Sequence, residues 1–293
     1  MGKKSREKRS RPPLPKHDQG SSVVAGGRGV IVAVLVFLFI VGVFTFMRNF
    51  KWADELSIWQ DATENSSAKA RPQNNLGLTY FAMAVMDKAE AHYKKAIILE
   101  PDFAGTYNNL GLVYAETGRI EAAMAEYRLA IEVDSGYVIA YNNIGNLYFN
   151  AGLMVEAEEA YKKVLDQLPD HSEAVYNLGN VYLQLNRSEE AVEYLERAVV
   201  LSPFHARARN NLAIVYFKLK RTSEAIDEFK ETVRLNPDYA EGYNNLGSAY
   251  LSIGKIEDAV VAFKSALAVN PYYESARLNL AKAYEKKARS SAP

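Results

Sequence analysis

Asparagine recurs along the chain every 34 residues, and a row of its carboxamides could bind the backbone of an extended peptide. The unbroken series is Asn75, Asn109, Asn143, Asn177, Asn211, Asn245 and Asn279. Other asparagines adjoin this series, among them Asn142, Asn146 and Asn180. Each carboxamide has an acceptor oxygen and a donor NH2 group, so it can pair with a main chain whatever the ligand's side chains are. The same groups could instead join neighbouring helices, and the sequence leaves both interpretations open.

Other residues that could carry chemistry are scattered. The histidines, His17, His92, His171 and His205, form no metal-binding pair four residues apart, and there is no cysteine. The glycines at 26, 27 and 29 lack the strand and the Gly-Lys-Ser/Thr of a phosphate-binding loop. The sequence therefore predicts a protein that is not an enzyme, with no catalytic residue, metal, cofactor or small-molecule substrate.

The asparagines belong to a strict 34-residue repeat. Its units are 70–103, 104–137, 138–171, 172–205, 206–239 and 240–273, followed by a seventh first half at 274–289. The eighth position of a unit is always glycine or alanine, the eleventh tyrosine and the twentieth alanine; the twenty-fourth is aromatic or leucine. A small residue on one helix lets a second helix pack closely, so each unit is predicted to be a helical hairpin.

These spacings and residue types resemble the tetratricopeptide repeat (TPR) over residues 70–289. The resemblance implies an all-α fold, a right-handed superhelix (α-solenoid) whose first helices line a concave groove. Trp59 and Ala62 stand 34 residues before the packing positions Tyr93 and Ala96. We therefore expect residues 52–69 to form an N-terminal capping half-repeat and residues 274–289 a C-terminal capping helix.

The groove is predicted from the helical period. At 100° per residue, positions 5, 6 and 9 lie opposite the core, which directs the asparagines toward the groove together with Arg207 and Lys218. The series resembles the asparagine ladder in the TPR domain of O-linked N-acetylglucosamine transferase, which implies main-chain binding. Between the two helices of a unit, Gly118, Gly152 and Gly254 suit a left-handed turn, whereas Lys220 departs from that pattern.

The first 51 residues differ from the rest. Residues 29–47 contain nineteen residues without a charge, enough to span a bilayer as one transmembrane helix. Basic residues precede this segment, so the positive-inside rule places the 1–28 tail, predicted to be disordered, in the cytoplasm. The body is then periplasmic or otherwise non-cytosolic, and the chain is a single-pass protein of the inner (cytoplasmic) membrane.

The net charge of zero conceals this division. Residues 1–51 contain ten Lys and Arg against two Asp and Glu, whereas the rest contains 25 against 33. An acidic body argues against a nucleic-acid partner. The expected partner is a protein or peptide segment that binds in the groove. Residues 29–47 are expected to anchor the chain in a membrane.

Three functions fit these features. The first is a scaffold or adaptor that recruits or assembles protein partners at the membrane. The junction around Trp52 also resembles the start of the C-terminal TPR arrays of membrane glycosyltransferases, which suggests a non-catalytic subunit presenting substrates to such an enzyme. The third is an organelle import receptor whose solenoid lies in the cytosol. The chaperone-binding pattern of basic residues is not reproduced, because Asn142 and Tyr176 stand at the basic positions.

Overall fold

The computed structural model describes residues 55–290, together with Leu38, Gly42 and Val43, which are helical. The chain divides into two compact units, residues 1–62 and 63–293. Apart from those three positions, the predicted tail (1–28) and transmembrane segment (29–47) lie outside the described residues. Among the described helices, none combines the length and apolarity that a membrane span needs.

The described residues are all-α. Helix α1 is Glu55–Asn65, at the boundary between the two units, and its capping role stays a prediction. The first helices of the repeats are α2 Ala70–Ala82, α4 Ala104–Glu116, α6 Val138–Asn150, α8 Ser172–Gln184, α10 Ala206–Lys218, α12 Ala240–Ser252 and α14 Glu274–Ser290. The second helices are α3 Met86–Leu99, α5 Ile120–Val133, α7 Met154–Gln167, α9 Ser188–Leu201, α11 Thr222–Leu235 and α13 Ile256–Val269.

In most hairpins the core is an aromatic ring against the bare backbone of a glycine, as the repeat predicts. Leu195 stands in place of the ring in the fourth unit, and Ala213 in place of the glycine in the fifth. A Cβ added to Gly111 would lie 2.6 Å from Cε1 of Tyr127, and one added to Gly145 would lie 2.6 Å from Tyr161. Both tyrosines are 1% exposed. The alanine at position 20 is fully buried in every unit. The pattern of small and large residues therefore sets how closely the two helices approach.

A left-handed residue ends the first helix of each unit. Gly118, Gly152 and Gly254 have φ of 74°, 76° and 79°, and Asn186 has φ of 56°. Lys220, which departs from the glycine pattern, adopts the same conformation with φ of 65°. The backbone hydrogen bond from Arg221 to Tyr216 closes this turn as its counterparts close the others. The geometry of the turn therefore overrides the preference of lysine for a negative φ.

The first helices form the inner face of the array. The first helices from α4 to α12 each pack against the second helix of their own unit and against that of the unit before, α2 packs against α3, and α14 packs against α13. Consecutive first helices also contact one another, whereas no pair of second helices within residues 63–290 does so to the same extent. The array therefore curves with its first helices inward, and these helices supply the groove.

Ion pairs also join successive units, near the C-terminal ends of the first helices. Glu158 on α7 pairs with Lys162 and with Arg187, both at 2.7 Å. The Arg187 guanidinium lies 4.4 Å from the centre of the Tyr182 ring, and the Tyr182 hydroxyl donates to Glu158 at 3.2 Å. Burial alone would raise the pKa of Glu158, but Lys162, the Tyr182 hydroxyl and Arg187 together outweigh it and hold this pKa below its ordinary value.

The contact of Gly111 with Tyr127 gives a stability prediction. We expect Gly111→Val to lower the free energy of unfolding by about 1–3 kcal/mol, because the added methyl groups must displace a buried ring. Ala115→Val, on the partly exposed face of α4, is the control and should change stability by only about 0.5 kcal/mol. Urea unfolding followed by circular dichroism measures both, and equal losses would contradict the close contact.

The Glu158 cluster gives a pH prediction. A carboxyl whose pKa is lowered on folding stabilises the fold above its unfolded value of 4.5, and this stabilisation is lost as pH falls through the lower folded pKa. Glu158→Gln should therefore melt at a lower temperature than wild type at pH 7, and the difference should shrink as pH falls below 4.5. Glu193→Gln, at an exposed position on α9, should match wild type throughout. A difference independent of pH would refute the prediction.

Candidate functional site

The asparagines of position 6 form a continuous hydrogen-bonded ladder between first helices. All of them except Asn75 donate Nδ2 to an Oδ1 on the preceding first helix, which makes six rungs. The rungs are Asn109 to Asn74 (3.1 Å), Asn143 to Asn108 (2.8 Å), Asn177 to Asn146 (3.0 Å), Asn211 to Asn180 (2.7 Å), Asn245 to Asn210 (3.1 Å) and Asn279 to Asn244 (3.0 Å). Asn75, on the first unit, accepts from Asn74 at 3.4 Å. The ladder therefore joins the units, and its NH2 groups are engaged within the protein.

The asparagines of position 5 lie inside the array and not on the groove surface, which corrects the prediction from the helical period. Asn142 is 4% exposed and Asn210 is fully buried. A helical wheel takes one helix at a time, whereas the neighbouring first helix covers this position. The asparagines of position 6 remain half-buried.

The ladder changes register in the middle of the array. Four rungs use an acceptor at position 5, but Asn177 and Asn211 use Asn146 and Asn180, at position 9. Tyr176 replaces asparagine at position 5 of α8, and its hydroxyl lies 3.4 Å from Nδ2 of Asn211. The middle of the groove therefore carries an aromatic ring where the other inner units carry an amide.

Two clefts meet at Tyr176. One, of about 430 Å³, lies between α6, α8, α10 and α12 and brings together Asn180, Asn211 and Lys218. Its remaining lining residues are Phe149, Tyr176, Leu183, Gln184, Ile214 and Glu241. The other, of about 460 Å³, is lined by Ser172, Glu173, Tyr176, Asn177, Ala198, Ser202, Phe204 and His205. We define these two clefts as the central site.

Neutral and charged groups alternate around the central site. The ring of His205 meets that of Tyr176 edge to face, with centroids 4.6 Å apart. Burial, and to a lesser degree the charge of Arg207, lowers the pKa of His205. Lys218 donates to the Asn186 side chain at 3.3 Å, and Glu173 accepts from Asn142 at 3.0 Å. Apolar walls with polar groups at their rim suit a peptide side chain flanked by its main chain.

The structure separates the remaining predicted residues. Asn75 lines a smaller cleft of about 230 Å³ at the first unit, with Arg71 and Phe103. Arg207 lies exposed on α10, beside the central site and not in its lining. The lining residues that the sequence interpretation did not propose as binding residues are Tyr176 and Ile214. Tyr176 was detectable as the break in the asparagine series at position 5.

No group of three or more histidine and acidic side chains within residues 55–290 is placed to hold a metal ion. His92 bonds the side chain of Gln73 at 2.8 Å, and its ring stacks on that of Tyr80. His171 accepts from the backbone N–H of Ala174 at the start of α8. His17 lies outside the described residues.

Sequence models of the tetratricopeptide repeat match residues 86–118, 111–152, 137–201, 176–240 and 240–273. Together these matches cover more than half of the chain. A search of curated protein sequences finds no match.

Solved structures share this fold. The YrrB structure, described as a TPR protein with an unusual peptide-binding site, is 27% identical with a TM-score of 0.55, and the match covers 63% of this chain and 95% of YrrB. Pseudomonas aeruginosa PilF has a TM-score of 0.67 at 20% identity, over 74% of this chain and 98% of PilF.

A third structure, the Cut9–Hcn1 hetero-tetramer of the APC/C, has a TM-score of 0.65 at 21% identity, over 77% of this chain. This chain spans 45% of that longer protein. At such identities, the PilF and Cut9 matches show the fold alone. The sequence models, the repeated hairpins and the YrrB match agree, and the chain belongs to the tetratricopeptide repeat family.

Proposed function

We propose that this protein is a membrane-anchored scaffold that binds an extended segment of a partner protein in the groove and holds that partner at the membrane. The observation that carries the proposal is the central site, where two clefts share the Tyr176 ring beside ladder asparagines. The ring gives apolar contact area, and the amide oxygens give acceptors for main-chain N–H groups. The peptide-binding description of YrrB supports the same use of the fold.

Membrane anchoring rests on the sequence. The uncharged segment 29–47 has the length of a bilayer span, and basic residues are concentrated on its N-terminal side. The array begins soon after this segment. A partner bound in the groove would therefore be held near the bilayer, which supports recruitment as the purpose of binding.

The binding proposal is tested with a phage-displayed library of random linear peptides, selected on the full chain in detergent micelles. Tyr176→Ala should weaken binding of a selected peptide by more than about tenfold, because it removes the aromatic surface shared by both clefts. Tyr272→Ala is the matched control, since this side chain is 94% exposed in the turn before α14. Fluorescence anisotropy measures affinity, and circular dichroism verifies folding.

Three results would count against groove binding. They are the failure to select any peptide, equal affinity of the two tyrosine variants, and binding that survives Tyr176→Ala but is lost in Tyr272→Ala. The last result would move the binding surface to the C-terminal end of the array.

The topology is tested by protease protection. When the full chain is expressed in a bacterial host, trypsin added outside spheroplasts should digest residues 52–293 and leave the 1–28 tail intact. Antibodies to tags at the two ends identify the fragments by immunoblot. Protection of the body until the membrane is lysed would place the array in the cytosol, as expected of an import receptor and not of the proposed scaffold.

A further inference from the structure

One buried carboxamide oxygen in the ladder has no donor. It is Oδ1 of Asn142 on α6, in a side chain that is 4% exposed. It is the one such side-chain atom found within residues 55–290. The Nδ2 of the same side chain donates to Glu173 at 3.0 Å, so the amide is held in place while its oxygen stays unpaired. An unpaired buried acceptor is costly, and its position calls for a reason.

This unpaired oxygen lies at the rung where the acceptor changes from position 5 to position 9. In four rungs, the donor asparagine bonds the asparagine 35 residues earlier, as Asn143 does with Asn108 at 2.8 Å. Asn177 stands 35 residues after Asn142, yet it bonds Asn146 at 3.0 Å. Asn177 therefore uses one acceptor, Oδ1 of Asn146. A second acceptor, Oδ1 of Asn142, is unoccupied and lies 35 residues earlier in the chain, the separation found in four of the other rungs.

Asn146 cannot take a further donor while Asn177 is bound to it. Its Oδ1 already accepts from the Tyr161 hydroxyl at 2.6 Å as well as from Asn177. A carbonyl oxygen has two lone pairs, and these two donors occupy both. An N–H group of a ligand can reach this oxygen only if Asn177 leaves it.

We infer that the rung between α6 and α8 exchanges its internal hydrogen bond for one to a bound main chain. A backbone N–H of an extended peptide replaces Asn177 at Oδ1 of Asn146, and Nδ2 of Asn177 turns to Oδ1 of Asn142. Every donor stays paired, and the vacant acceptor gains a partner. This inference rests on the proposed function, and it names the ligand chemistry as a main-chain N–H donor.

A neighbouring rung shows what the exchange requires. Asn143 bonds Asn108, and position 9 of the same helix is Leu112, which has no amide. A ligand that displaced Asn143 would leave its NH2 group without a second ladder acceptor. The second acceptor, Oδ1 of Asn142, therefore distinguishes the α6–α8 rung from the α4–α6 rung.

The first test uses the full chain without ligand, in detergent micelles, as a double-mutant cycle. In Asn146→Ala, Nδ2 of Asn177 can still bond Oδ1 of Asn142. In Asn142→Ala, it keeps its bond to Oδ1 of Asn146. The double variant removes both. Its melting temperature should fall by about 2–4 °C more than the two single falls together, since only this variant leaves the amide of Asn177 unpaired. In the control cycle, Asn108→Ala with Leu112→Ala, the two falls should add. Additive falls at Asn142 and Asn146 would overturn the inference.

The second test uses a peptide selected on the full chain. Asn142→Ala should lower its affinity by about tenfold, because the peptide now leaves Asn177 unpaired when it takes Asn146. Asn270→Ala, in the turn before α14, is the control and should bind as wild type does. N-methylation of the peptide at the contacting residue should remove the difference between wild type and Asn142→Ala. Equal affinity of these two proteins for the unmethylated peptide would overturn the inference, whereas failure to select any peptide would overturn the proposed function.

Discussion

The array depends on the close contact, within each hairpin, between a large side chain of the second helix and the small residue at position 8 of the first. At five units the facing residue is glycine, and a Cβ there would lie 2.6–2.8 Å from the opposite side chain. This approach fixes the distance between the first and second helices. Because every unit repeats it, the first helices align along one face, and the asparagines 34 residues apart come within hydrogen-bonding distance of their neighbours. The groove is thus a consequence of core packing.

Much of this fold is readable from the sequence. The period, the small residue at position 8 and the ring at position 24 predict helical hairpins, and the structure and the family matches confirm the tetratricopeptide repeats. Periodicity failed at Asn142 and Asn210, since the face of one helix cannot reveal what an adjacent first helix will cover. Lys220 departs from the glycine pattern in the sequence, yet it adopts the same left-handed turn, which is imposed by the packed helices on either side.

The central site could be predicted only in part. Asn180, Asn211 and Lys218 follow from spacing, but their meeting with Glu241 and Ile214 depends on four separate units. Tyr176 was visible in the sequence as a departure from asparagine. That two clefts would meet at its ring was not visible there. The change of ladder register requires knowledge of which acceptor each amide chooses, and two acceptors on one helix are equivalent in sequence. A strict repeat is most informative at the units that break it.

All six rungs donate in the same direction along the array. In each, the NH2 group donates to an oxygen on the preceding first helix. The N–H···O dipoles of the six rungs therefore point the same way, and the inner face has distinguishable N-terminal and C-terminal directions. An extended peptide also has a direction, so its parallel and antiparallel placements meet different electrostatic surroundings. Under the proposed groove binding, the ladder would favour one of these two orientations of a bound strand over the other.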